Sequence, residues 1–379
     1  MKILHLIATL APESGGPAQA CLEMAAAVAA RGHQVSIYTT DFGAAPRPLP
    51  PGAAVDIKTF PVQSPRFWKP STALARALGT DLPAFDVLHL HSLYLFHDWV
   101  GGDLARKHGV PYIVRPHGLL DPYIWRRSRL RKKVMEIAFQ DRVLRNAAAL
   151  HYTSDVERDI SAPHAGPAPA RVVPLGVKLD EVETLPSPEH FYRLFPETAG
   201  KRIVLFLSRL HEKKGLDLLV PAFAEARKTV PDLHLVLAGP DDGVAGRTVT
   251  LARQLGVEQN VTFTGMLVGQ DKLSAFAAAS MFALPSYSEN FGIAVVEAMA
   301  ARLPSIVSDQ VNIYREISGR GAIVVPCEIP AVTRAIVDLA SDPARAKAIG
   351  EQARATAKAL YDWKNVAASL ETMYAGVAR

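Results

Sequence analysis

Short apolar runs alternate along this chain with longer stretches of helical periodicity, and the alternation comes in two blocks. In the first block, residues 2–9, 33–40, 55–62, 87–91, 111–116 and 148–153 predict strands, and an Ala-rich stretch at 18–31 predicts a helix closing at Gly32. The pattern restarts at 202–207 and continues at 233–239, 261–265, 280–284, 305–308 and 322–325. Strands that alternate with helices build parallel sheets covered by helices. Two such blocks predict an α/β protein made of two doubly wound domains facing each other across a cleft. The polar, Pro-interrupted stretch EVETLPSPEHFYRLFPETAG marks the joint. The expected division is 1–180, a linker at 181–200, a second domain at 201–360, and a last segment at 361–379.

Ligands of such domains bind beyond the carboxyl ends of the strands, so polar residues that follow a strand matter most. The strongest of these segments is PSYSENFGIAVVEAMAA, residues 285–301. It leaves an apolar strand, crosses a polar loop and enters a helix whose sole charge is Glu297. A buried carboxylate costs several kcal/mol unless it is hydrogen-bonded, so Glu297 is expected to have a partner. Glu289 lies in the loop, and Gly292 lets the backbone approach a ligand. A helix N-terminus with free N–H groups suits a polar or anionic ligand, and two carboxylates suit sugar or ribose hydroxyls.

Other strand ends add candidates. Gly15 and Gly16 follow the first strand, where glycines serve a tight turn or a close approach to phosphate or sugar. His91 and His117 end neighbouring strands, and His117 sits between Pro116 and Gly118 in a turn that could aim its ring outward. Arg115 and Tyr123 lie on the same lip. Arg209 and Lys214 flank a loop before a helix near Gly215. That loop is either simply solvated or a cation pair for a leaving diphosphate. Asp241 and Asp242 read as a turn rather than a metal motif.

Composition narrows the classes. The chain has 379 residues, 49% of them hydrophobic, with a net charge of +5 and a pI near 9.1. Acidic partners follow from that charge. Cys21 and Cys327 are far apart and lack metal-site spacing, which fits a reducing compartment. The N-terminus reads as a strand rather than a signal peptide, and no apolar run reaches the roughly 18 residues of a membrane span. The expected location is the cytosol. WRRSRLRKK, residues 125–133, continues into a helical pattern with Leu130, Val134, Ile137 and Ala138 on one face. A second aromatic–basic stretch starts at Arg66. A basic amphipathic helix of this kind is a solvated face or a membrane-surface element. Nucleic acid is disfavoured by the absence of any binding-module signature.

Taken together, SGGPAQA, RPHGLLDPY, FLSRLHEKKG, LAGPDD, FTGMLVGQDK and ENFGIAVVEAMA resemble, in order and over nearly the whole length, a retaining glycosyltransferase of the GT-B fold, family four (glycosyl transferases group 1) type. The seven-residue spacing between Glu289 and Glu297 matches that family's signature. The resemblance implies two Rossmann-like domains, an N-terminal one on the acceptor side and a C-terminal one for the nucleotide sugar, with the final helix crossing back onto the first. It implies that His117 lies near the reacting sugar and that Arg209 and Lys214 grip the diphosphate. By the same resemblance, Glu289 contacts donor-sugar hydroxyls and Asn290, Phe291 and Gly292 offer backbone N–H groups. Glu297 takes the ribose, Met266 and Leu267 cup the base, and Gly15 and Gly16 form the glycine loop. His91, Arg115 and Tyr123 remain acceptor-side candidates. The implied reaction moves a hexosyl group from a UDP- or GDP-sugar to an acceptor hydroxyl, without metal or cofactor; the basic amphipathic segment suits a glycan or lipid-linked acceptor at the inner face of a membrane. Cell-surface polysaccharide synthesis is the expected setting. A nucleotide-sugar epimerase of the same fold and a non-catalytic nucleotide-sugar-binding partner are the alternatives.

Overall fold

The structure is a computed structural model that describes residues 1–45, 48–50, 52–122 and 129–379, with the backbone alone for 129–131. Tyr123 and residues 125–128 of the basic segment lie outside the described residues. The chain divides into two compact units, Met1–Gly176 with Trp363–Arg379, and Val177–Asp362.

The first unit is built on β1 (Lys2–Leu6), β2 (Gln34–Thr40), β3 (Val55–Phe60), β4 (Val87–His91), β5 (Tyr112–Arg115), β6 (Ala149–Tyr152) and β7 (Ala170–Val172). They form one sheet in the order β3-β2-β1-β4-β5-β6-β7, with every pairing parallel. The expected strands at 2–9 and 55–62 outrun the pairing. Residues 7–11 stay buried, but they leave the ladder as the chain turns toward the loop at Gly15. The short edge strand β7 went unread because it offers only Ala-Arg-Val and no fully buried position.

One face of this sheet carries Ile3, Val87, Ile113 and Ala149 beneath the helix Gly16–Ala29 and the C-terminal helix Trp363–Ala375. Pro17 fits the first turn of the former helix, where a missing N–H costs nothing. Leu370 and Tyr374 reach into the core, and Arg31 and His33 bind Glu371 at 2.7 and 3.0 Å.

The second unit has β8 (Arg202–Leu207), β9 (Leu233–Ala238), β10 (Val261–Gly265), β11 (Ala279–Leu284), β12 (Ser305–Ser308) and β13 (Ala322–Val325), in the order β10-β9-β8-β11-β12-β13. Its strands are parallel too, and β9 is buried at every position, as a central strand covered on both faces must be. Residues 181–200, expected as a linker, fall inside this unit. They hold the short helix Glu189–Leu194, which Phe191 anchors at 1% exposure and His190 ties to Asp271 at 2.7 Å.

In each sheet the chain builds outward from the first strand on one side, then returns to add strands on the other. The order therefore reverses at β1/β4 and at β8/β11. Loops leaving the two central strands diverge there, and such switch points are where ligands bind.

Leu370 is fully buried and belongs to the core under the C-terminal helix. Leu370→Ala should lower stability by about 2–5 kcal/mol in chemical denaturation. A loss below about 1 kcal/mol would mean that this helix is not a structural cover of the first sheet.

Candidate active site

At the β8/β11 switch point of the second unit, the loop after β8 carries Lys214 and the loop after β11 carries Glu289. They form an ion pair with side chains only 12% and 19% exposed. Two backbone contacts hold the loops together. Tyr287 N–H donates to the Lys213 carbonyl at 2.7 Å, and Gly215 lies so close that a Cβ there would overlap the Pro285 carbonyl oxygen. Gly215 has φ 70°, a second reason for glycine. Glu289 is fixed in turn by its own backbone, donating to Gln310 O at 3.0 Å and accepting from Asn312 N at 2.9 Å.

Glu289 leads into the N-terminus of the helix Ile293–Ala300. Gly292 adopts φ 77° there. Among the described residues, none of the N–H groups of Asn290 to Ala294 has an acceptor. Asn290 Oδ1 is buried without a partner, while the Phe291 ring is buried edge-on against Tyr361. Phe291 therefore offers a ligand its backbone, not its ring. Free N–H groups, the helix dipole, a cation and a carboxylate meet at one strand end, an arrangement that suits a phosphorylated polyol.

Glu297, one turn into that helix and only partly buried, has the expected partner: Lys272 at 2.9 Å, on the helix Gly269–Ala278. Lys272 also lines a cavity of about 480 Å³ with Glu181, Thr184 and Gln270. Met266 is exposed and Leu267 half-buried, just beyond the end of β10. Arg209 is 64% exposed and binds Asp242 at 2.6 Å, while Asp241 Oδ1 accepts from three consecutive N–H groups of its turn. The Asp pair thus caps a turn and holds Arg209.

In the first unit the switch point is lined with histidines. The register sets His5 of β1 beside His89 of β4 and His91 beside Arg115 of β5. His89, His91 and Arg115 share a face with Ile113 and Ala149, so Arg115 is 1% exposed and His91 fully buried. Neither reaches a lip, because period-two alternation points both into the core. His117 is half-buried, with φ 54°, and its Nε2 lies 3.1 Å from His91 Nδ1. Glu157 pins the turn after it. One carboxylate oxygen accepts from Gly118 N at 3.0 Å, and the other from Thr153 N and Oγ1 at 2.7 and 2.6 Å. Gly15, with φ 72°, precedes the first turn of its helix at Gly16, and no atom crowds either position.

Lys272, Glu157, His5, His89, His151 and Tyr374 were not read from the sequence, and the pairing of Asp242 with Arg209 was not either. The LHL and LHLH runs of β1 and β4 carried a signal, since a histidine between leucines in a central strand must be buried. For a metal, one set of donors comes together among the described residues: His5, Cys21 and His91, within 4.8 Å. Both His91 nitrogens are already hydrogen-bonded and the Arg115 cation lies beside the set. That arrangement opposes a further cation.

The two parallel, doubly wound sheets give the chain the GT-B fold, and solved GT-B structures are its neighbours. It aligns with HepE of Anabaena in complex with UDP-glucose at a TM-score of 0.79 and 21% identity, covering 99% of this chain and 100% of that one. Residues 15–176 match the glycosyl transferase 4-like domain and residues 194–356 match glycosyl transferases group 1; the chain belongs to this glycosyltransferase family. It is 29% identical, over 62% of its length, to the GDP-mannose-dependent alpha-(1-6)-phosphatidylinositol monomannoside mannosyltransferase of Mycolicibacterium smegmatis, and spans 64% of that protein. It is 25% identical, over 83% of its length, to the mannosylfructose-phosphate synthase of Agrobacterium fabrum, and spans 75% of that one.

Burial lowers the pKa of His5 to about 3 and of His97 to about 4, and it holds His89, His91 and His151 well below the usual value. These rings are neutral when folded, whereas unfolded they protonate near pH 6.5. Stability is therefore whole above about pH 6.5. It falls as the pH drops below that value, by about 1.4 kcal/mol per unit for each histidine. Thermal melts between pH 7.5 and 5 should show Tm declining steeply below 6.5 with proton uptake on unfolding. A flat profile would mean that these rings ionise within the fold.

Proposed function

We propose that the chain transfers a hexosyl group from a UDP- or GDP-sugar to a hydroxyl of a glycan or lipid-linked saccharide, with retention of anomeric configuration and without a metal ion. The observation that carries this reading is the Lys214–Glu289 pair beside the open N–H groups of Asn290–Ala294. The UDP-glucose in the neighbouring structure and the GDP-mannose in the relative's name support a nucleotide-sugar donor.

In this reading the bond between the anomeric carbon and the phosphate oxygen breaks, with its electron pair leaving on the diphosphate. Lys214 and Arg209 stabilise that charge, as do the N–H groups around Asn290, Phe291 and Gly292. The acceptor oxygen bonds to the anomeric carbon on the face the diphosphate vacates, and its proton passes to a phosphate oxygen. Glu289 holds donor-sugar hydroxyls, and Glu297, set by Lys272, holds the ribose. Met266 and Leu267 border the base, and Gly15 and Gly16 allow close approach of backbone to ligand. His117 serves the reacting sugar.

A membrane-surface role for the basic segment goes with a lipid-linked acceptor in cell-surface polysaccharide synthesis. No helix among the described residues is long and apolar enough to cross a membrane. Val134 and Ile137, one turn apart and next to Lys132 and Lys133, are 63% and 76% exposed, which supports contact with an interface.

A thermal-shift screen with UDP, GDP, ADP and their sugars should show stabilisation by one diphosphate, unaffected by EDTA. Glu289→Gln should keep the fold and lower transfer roughly 10²-fold or more. No shift with any nucleotide, or full transfer by the variant, would overturn the donor site, and conversion of a sugar nucleotide without acceptor would mark an epimerase. Changing Arg126, Arg127, Arg129, Arg131, Lys132 and Lys133 to Gln should abolish binding to phosphatidylglycerol vesicles, and unchanged binding would remove the membrane role.

A further inference from the structure

The buried histidines of the first unit form two hydrogen-bonded chains, and the surroundings at the end of each decide where its protons lie. In one chain, His151 Nε2 is 2.8 Å from the Val173 carbonyl, which only accepts. His151 therefore carries its proton on Nε2 and accepts at Nδ1 from His89 Nε2, 3.3 Å away. His89 Nδ1 is then an acceptor, and the Tyr374 hydroxyl donates to it at 2.8 Å. Every proton in that chain follows from one carbonyl.

The second chain runs from His5 Nδ1 to His91 Nε2 at 2.9 Å, and from His91 Nδ1 to His117 Nε2 at 3.1 Å. Neutral rings allow two polarities. If protons point from His117 toward His5, the chain ends in a His5 Nε2–H that is buried and has no acceptor. A buried N–H left without an acceptor is a costlier orphan than a buried lone pair left without a donor. If protons point the other way, His5 Nε2 keeps only its lone pair and no N–H of the chain is orphaned. The cost of that orphaned N–H selects the second polarity.

We propose that His5 and His91 are positioning residues that hold His117 in its Nδ1–H tautomer, so that the ring meets its substrate as a hydrogen-bond donor and not as a base. His117 Nε2 is occupied by His91 Nδ1–H, and Nδ1 is the nitrogen left for a ligand. The proton chain thus identifies the ligand group as an oxygen acceptor, such as a sugar hydroxyl oxygen or a phosphate oxygen. The assignment of that ligand rests on the transferase reading; the tautomer does not.

The test is ¹H–¹⁵N correlation spectroscopy of the full chain labelled with ¹⁵N-histidine, which reads the tautomer of each ring without substrate. The wild-type His117 should show a protonated Nδ1 and a bare Nε2. His5→Asn supplies an N–H at the Nδ1 position and should leave that pattern and kcat intact. His5→Asp supplies only acceptor oxygens, compensates Arg115, and should reverse the chain. His117 would then carry its proton on Nε2, and kcat should fall about tenfold, the worth of one hydrogen bond, with little change in KM. A wild-type His117 protonated on Nε2, or a His5→Asp variant with the wild-type pattern, would overturn the relay. Either result would leave Lys214 and Glu289 untouched, whereas failure of nucleotide binding would leave the relay standing.

Discussion

A parallel sheet whose strand order reverses sends the loops of two adjacent central strands in opposite directions, and the space between them has no neighbour to fill it. The functional reading of this chain depends on that constraint. At β8/β11 the gap is bordered by Lys214 and Glu289, brought into contact although 75 residues separate them. Both side chains are largely withdrawn from water, and their attraction offsets the desolvation only because each has its partner. The pair keeps a cation and a carboxylate oriented in advance; in the proposed transfer, that leaves little reorganisation for the departure of the diphosphate.

How much of this could be read from the chain depends on the range of the interactions. The strands were legible because central parallel strands are continuous apolar runs, and β8, β10, β12 and β13 were delimited to the residue. Glu297 was legible as a carboxylate in need of a partner. Lys272 was not, because the pairing depends on how the helices Gly269–Ala278 and Ile293–Ala300 pack. Arg115 and His91 were expected at a surface because they end strands. Side-chain alternation across the sheet sends them inward, a fact that requires knowing which face is covered and by what. Residues 181–200 look like a linker by composition, but buried side chains such as Val182, Phe191 and Thr198 draw them into the second unit.

The first unit solves a different electrostatic problem. Arg115 is a buried cation whose pKa burial lowers only to about 10, so it stays charged at neutral pH, with the Glu157 carboxylate opposing the shift. Neutral imidazoles around it supply polarizable rings without a second positive charge. Such a set orders proton positions over several residues, a property that side-chain identity alone does not convey.

Gly215 carries a consequence of its own. It touches neither charge of the Lys214–Glu289 pair as a ligand would, yet its missing side chain is what lets one loop rest on the carbonyl of the other. A methyl group at that position would act as a wedge, separating the two charges while both remained chemically intact. Substitutions scored by activity would then mark a glycine as strongly as the charged residues beside it. The reason would be steric: the closeness of the pair is set by a hydrogen atom on a neighbouring α-carbon.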